Sequence, residues 1–115
     1  MTEPQTPAVI VLVRDLMFAS RIAATARAQG ANITMIREPE KLTTTPPALR
    51  LIVDLNQDRA LPAAIEWKRT TGGEVVGFVS HVDADTIAAA RAAGIDHVIP
   101  RSRFVQILPD LLRIG

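Results

Sequence analysis

Five side chains of this sequence could do chemistry together if the fold brings them to one place: Arg14, Asp15, Asp54, Ser80 and Arg101. Each stands at or just past the end of an apolar run, where a strand would hand over to a loop. Carboxylates supply oxygen ligands to hard divalent cations, and they also cap helices by accepting backbone N–H groups. A guanidinium offers a planar fork to a carboxylate or phosphate, and a hydroxyl both donates and accepts. Two carboxylates, two guanidinium groups and a hydroxyl form the one constellation in the chain that reads as chemical. His81 and His97 have no Ser, Cys or metal-spaced partner in the sequence, so acid–base catalysis by either is not expected. The chain contains no cysteine, which excludes disulfides and thiolate sites. Zinc spacings and the nucleophile-elbow pattern are missing, and Gly72-Gly73 precedes a strand instead of following one as a phosphate loop would.

The elements that must position these residues follow from hydrophobic period. Ala8–Val13 is a continuous, mostly β-branched run, as expected of a strand covered on both faces. From Leu16 to Gly30 the period changes to helical, with Phe18, Ala19, Ile22 and Ala26 on one face and glycine where the helix would stop. Asn32–Ile36 is a shorter strand. Arg37–Pro47 has room for a turn or two of helix before Thr43-Thr-Thr-Pro-Pro47 breaks it. Leu49–Leu55 is the third strand, with Asp54 near its end and Asn56 just beyond. A helix spaced by Leu61, Ala64, Ile65 and Lys68 closes at Gly72-Gly73. Trp67 lies on the flank of that stripe, open either to edge packing or to a contact role. Glu74–Ser80 is the fourth strand, Asp83–Ala93 an alanine-rich helix ended by Gly94, and His97–Ile99 the fifth strand. Phe104, Ile107, Leu108, Leu111 and Leu112 mark a last helix that Pro109 is expected to kink or split.

Five β-α repeats with short connections predict an α/β fold, a five-stranded parallel sheet with helices on both faces. The 115 residues, nearly half hydrophobic, suit a single domain, with residues 1–7 as a flexible N-terminus. Thirteen basic and twelve acidic side chains nearly cancel, which gives no general electrostatic case for nucleic acid or an anionic membrane. Met1–Pro7 lacks the apolar centre of a signal peptide, and the longest apolar run is too short to cross a bilayer. A cytoplasmic protein is expected. In an open parallel sheet, sites form beyond the carboxyl ends of the strands, where Arg14, Asp15, Asp54, Ser80 and Arg101 fall.

In order and spacing the chain resembles the receiver domain of bacterial response regulators. Val9-Ile-Val-Leu-Val-Arg-Asp15 is similar to the family's first strand, which ends in an acidic pair. Leu51-Ile-Val-Asp54-Leu55 resembles the third strand, whose aspartate accepts the phosphoryl group. Val75-Val-Gly-Phe-Val-Ser80 resembles the fourth, with its terminal Ser or Thr. The stretch Ala89–Ile99 resembles the approach to the fifth, and Arg101 falls where the family carries its lysine. The resemblance implies a flavodoxin-like sheet of order 2-1-3-4-5, Asp54 as the phosphoacceptor equivalent, and Mg2+ as cofactor with Asp15 as its remaining ligand.

The departures from the family pattern change the chemistry. Three carboxylates and a lysine leave a negative pocket that a divalent ion balances. Here Arg14 replaces one acid and Arg101 the lysine, so the charges of Asp15, Asp54, Arg14 and Arg101 cancel. A neutral site has little electrostatic reason to take up magnesium. Arg14 could serve as a built-in cation, and the fork of Arg101 could hold Asp54 in a fixed geometry. Val98 stands where the family carries a switch aromatic, and Ser102 where a proline follows the lysine. The expectation is an atypical, stand-alone receiver-like signalling module, not an enzyme, acting through a protein partner or as a homodimer. The resemblance implies a contact face on the fourth helix, fifth strand and fifth helix, including Arg91, His97, Val98, Arg103 and Phe104. The alternatives are a phosphoaccepting regulator that uses Asp54 with a histidine kinase, and a small-molecule binder on the same sheet.

Overall fold

A computed structural model describes residues 8–80 and 83–113. The expected N-terminal segment 1–7 and His81 therefore lie outside the described residues. Five strands, β1 (Val9–Leu12), β2 (Ile33–Ile36), β3 (Arg50–Asp54), β4 (Glu74–Val79) and β5 (His97–Pro100), form one parallel sheet of order β2-β1-β3-β4-β5. This is the predicted flavodoxin-like order. The crossovers are α1 (Leu16–Ala28), a 3-10 helix (Pro39–Thr44), α2 (Ala60–Thr71) and α3 (Ala84–Ala92), and α4 (Arg101–Leu111) follows the last strand.

Strand alternation sorts the apolar residues into two layers. Val9, Val11, Ile52, Val76 and Phe78 face α1 and α4, where Phe18, Ile22, Phe104 and Leu108 complete the layer. Ile10, Leu12, Leu51, Val53 and Val75 face the other side, against Leu42, Ala60, Ala64, Trp67 and Ala90. Phe18, Phe78 and Phe104 make an aromatic cluster on the first side. Phe78 and Phe104 stack with centroids 4.5 Å apart, and Phe18 meets Phe78 edge-on at 5.5 Å.

Two expectations are corrected. Pro109 does not split the last helix: α4 runs through it to Leu111, because a proline so near the helix end removes only one late N–H donor. Of the two roles left open for Trp67, packing is the one realised: it is 6% exposed and seated under Gly73, where a β-carbon would overlap its ring. Phe104, expected on a contact face, is fully buried. With Leu108 and Leu112 it forms the i, i+4, i+8 stripe that α4 turns to the sheet.

The second crossover is a 3-10 helix for local reasons. Proline opens it, and the hydroxyls of Thr43, Thr44 and Thr45 donate to the carbonyls of Glu40, Lys41 and Lys41. Such side-chain bonds compete with regular α-helical pairing, and Pro46-Pro47 then stops any extension. At the amino-terminal edge of the sheet, Arg50 pairs with Glu74 and also donates to the carbonyls of Leu111, at 2.7 Å, and Arg113, at 3.1 Å.

Candidate functional site

The carboxyl ends of β1, β3 and β4 and the start of α4 enclose an open cleft of about 470 Å³. Its walls are Arg14, Asp15, Asp54, Asn56, Gln57, Asp58, Ser80 and Arg101. All five residues singled out by sequence are thus gathered at one sheet edge. Their individual engagements are more specific than the sequence could specify.

Asp15 is the N-cap of α1. Its Oδ1 accepts the backbone N–H of Met17 at 2.9 Å and of Phe18 at 3.1 Å. Asp54 ends β3 and its Oδ1 accepts the N–H of Asn56 at 2.9 Å, a turn closed by the carboxylate. Asn56 in turn accepts the N–H of Ser80 on its Oδ1 at 2.6 Å. The loop after β3 is in this way fastened to the end of β4. Gln57 donates from Nε2 to the carbonyl of Arg37 at 2.7 Å, while its Oε1 is buried with no donor among the described residues.

The two arginines are both occupied. Arg14, whose side chain is more than half exposed, lines the cleft and pairs its guanidinium with Glu38 at 3.5 Å. A fork of Arg101 onto Asp54 was one option the sequence left open. Its guanidinium instead lies over the Phe18 ring, 3.8 Å from the centroid, a cation–π contact of about 0.5–2 kcal/mol.

Asn56, Gln57 and Asp58 are cleft residues that sequence reasoning did not assign. A polar run one residue past the strand-terminal aspartate was the available signal for them. Asp58 adds a third carboxylate to the lining, but its side chain is 90% exposed and its nearest cation is Arg59 at 3.9 Å. No group of three acidic or histidine side chains that could hold a metal ion occurs among the described residues. Of the expected contact residues, Arg91, His97 and Arg103 are exposed and Val98 is half-buried against the α2/α3 layer. His97 Nε2 lies 3.3 Å from Glu74 Oε2.

The backbone agrees over nearly its whole length with solved structures of one kind. A CheY-like receiver domain protein from Methanospirillum hungatei JF-1 gives a TM-score of 0.75 at 10% identity, covering 93% of this chain and 94% of that one. The fold is that of a response-regulator receiver domain. The phosphorylated cyanobacterial phytochrome response regulator RcpA gives 0.76 at 13% identity, over 92% and 91% of the two chains. A Burkholderia pseudomallei response regulator, solved with a phosphorylated aspartic acid, a calcium ion and citrate, gives 0.76 at 15% identity, over 92% and 66%. Identities this low establish the receiver fold and leave the chemistry to the cleft. No protein-family model and no curated protein matches the chain.

Among the described residues no helix is long and apolar enough to cross a membrane.

Proposed function

We propose that this chain is an atypical receiver-like signalling module that works through protein contacts, independently of magnesium-dependent phosphorylation. The observation that carries this reading is how the cleft carboxylates are used. Asp15 commits an oxygen to two backbone N–H groups and Asp54 commits one to Asn56, so both act as turn and cap formers. Charge-assisted bonds of this kind are stronger than neutral ones, so these oxygens hold the local backbone in place. Arg14, in place of an acid, supports the same reading by bringing positive charge where a cation would sit.

The module acts in the cytoplasm as a regulatory domain without catalytic chemistry, by meeting a protein partner or a second copy. The contact face is the exposed part of α3, β5 and α4, with Arg91, His97 and Arg103; Phe104 belongs to the core and is excluded from it. A second reading is favoured by one observation: Asp54 stands at the end of the third strand of a receiver fold, inside the cleft. In that reading it accepts a phosphoryl group from a histidine kinase, with Asp15 as ligand to Mg2+.

Intact-mass measurement after incubation with acetyl phosphate and Mg2+ separates the two readings. The expected result is no mass gain, while an active receiver treated in parallel gains one phosphate. A gain that Asp54→Ala abolishes would establish the second reading and overturn the first.

A further inference from the structure

The second crossover is only a short 3-10 helix, and it packs beside α2. Both elements run back from the carboxyl edge of the sheet, side by side. Between them lies a second concavity of about 680 Å³, on the opposite layer from the aromatic cluster and distinct from the cleft at the strand ends. That volume falls within the range of small-molecule pockets, about 300–1,000 Å³. Its floor is apolar, made by Trp67 and Leu42 with Pro39, Pro62 and Ala63 beside them.

The polar groups at its mouth are already engaged internally. Glu40 pairs with Arg59, and Glu66 holds Arg69 at 2.6 Å. Thr43 donates to the Glu40 carbonyl, Thr70 to that of Glu66 and Thr71 to that of Trp67. A charged occupant would find no uncompensated partner there, and burying its charge without one is costly. The rim therefore selects for a neutral guest.

The shape selects further. Glu40 lies in the first turn of the 3-10 helix and Arg59 precedes α2, so their ion pair spans the groove at its upper end. Arg59 adopts φ 65°, the one positive φ outside glycine among the described residues, a conformation that side chains with a β-carbon adopt only under constraint. A strained residue thus bars one end of the groove. A peptide segment running through would have to break this bar; a compact molecule would not.

From these observations we infer that the groove between the 3-10 helix and α2 is a binding site for a small, uncharged, apolar molecule. The protein supplies its own reporter. Trp67 in the groove floor is the only tryptophan and the chain has no tyrosine, so its emission reads this site alone. N-phenyl-1-naphthylamine is a neutral probe that accepts energy from tryptophan. 1-Anilinonaphthalene-8-sulfonate carries the same ring system with a negative charge. The neutral dye is expected to quench Trp67 saturably at one site, and the sulfonate to bind at least about tenfold more weakly. Thr70→Arg, at an exposed position of the rim, and Ala63→Arg, in the wall, each weaken the neutral dye at least about tenfold. Met17→Ser on α1 leaves its affinity unchanged. Thr70→Arg disturbs only a surface hydroxyl, so circular dichroism and melting are expected to match the parent, and this variant decides the mutational test. Failure to quench Trp67, equal or tighter binding of the sulfonate, or undiminished binding to Thr70→Arg would each overturn the proposal.

Discussion

The two faces of the sheet are built on different terms. Against α1 and α4 the chain spends all three phenylalanines, stacked or edge-on within 5.7 Å of one another, and both covering elements are full α-helices. Against the 3-10 helix, α2 and α3 it spends leucines, alanines and one tryptophan, and the covering is incomplete. The first face behaves as a closed core in which every large side chain has neighbours all round. The second has a wall missing, and Trp67 and Leu42 border that opening. A receiver fold evidently tolerates this asymmetry because the sheet itself is sealed on both sides: every residue of β1 is fully buried.

Cavity-forming substitutions turn the comparison into numbers. Phe104→Ala removes a fully buried ring from the closed face and is expected to cost about 3–5 kcal/mol in denaturant unfolding. Leu42→Ala empties a position that already borders open space, and its cost is expected at the low end for a buried leucine, about 2 kcal/mol. Equal costs would mean that the two faces are packed alike. Smaller is the effect of Asp15→Ala, which deprives α1 of its cap and is expected to lower stability by about 1 kcal/mol. Adding Mg2+ is expected to leave the parent's melting temperature unchanged; a rise that Asp15→Ala abolished would show that the cap is also a metal ligand.

The smallest expected effect is one of pH, on the open face. Burial opposes ionisation of Asp96, but hydrogen bonds from Lys68 at 2.8 Å and from the Val75 N–H at 2.7 Å outweigh it and hold its carboxyl below the ordinary 3.8. A depressed carboxyl contributes stability that is present above the unfolded value and disappears as the pH falls through the folded one. The melting temperatures of the parent and Asp96→Asn are thus expected to differ at neutral pH and to converge as the pH drops below 3.8. A constant gap would place the stabilisation in hydrogen-bond geometry, not in charge.

Much of this architecture was legible in the sequence because it rests on period. Continuous apolar runs gave the strands, and the order of the runs placed Arg14, Asp15, Asp54, Ser80 and Arg101 at one edge. What a side chain does once there depends on neighbours distant in sequence. Arg101 carries no mark of its stacking on Phe18, eighty-three positions away, and the tie from Asn56 to the Ser80 amide spans 24 residues. Phe104 was misplaced for a related reason. Helical phase says which residues share a stripe, while the width of the buried band is decided by how closely the helix sits on the sheet. The groove arose from an absence of helix, and hydrophobic period does not describe the space that a missing element leaves.

Arg50 carries a consequence in time. Its guanidinium joins Glu74, 24 residues later, to the carbonyls of Leu111 and Arg113, 61 and 63 residues later. At synthesis rates of about 5–20 residues per second, Leu111 follows Arg50 by roughly 3–12 s. During that interval β3 and β4 can already be joined through the ion pair, but the far end of α4 does not yet exist. The same cation thus serves first as a clasp between neighbouring strands and later as the catch that secures the last helix. Its two duties are separated by the chain's own order of emergence.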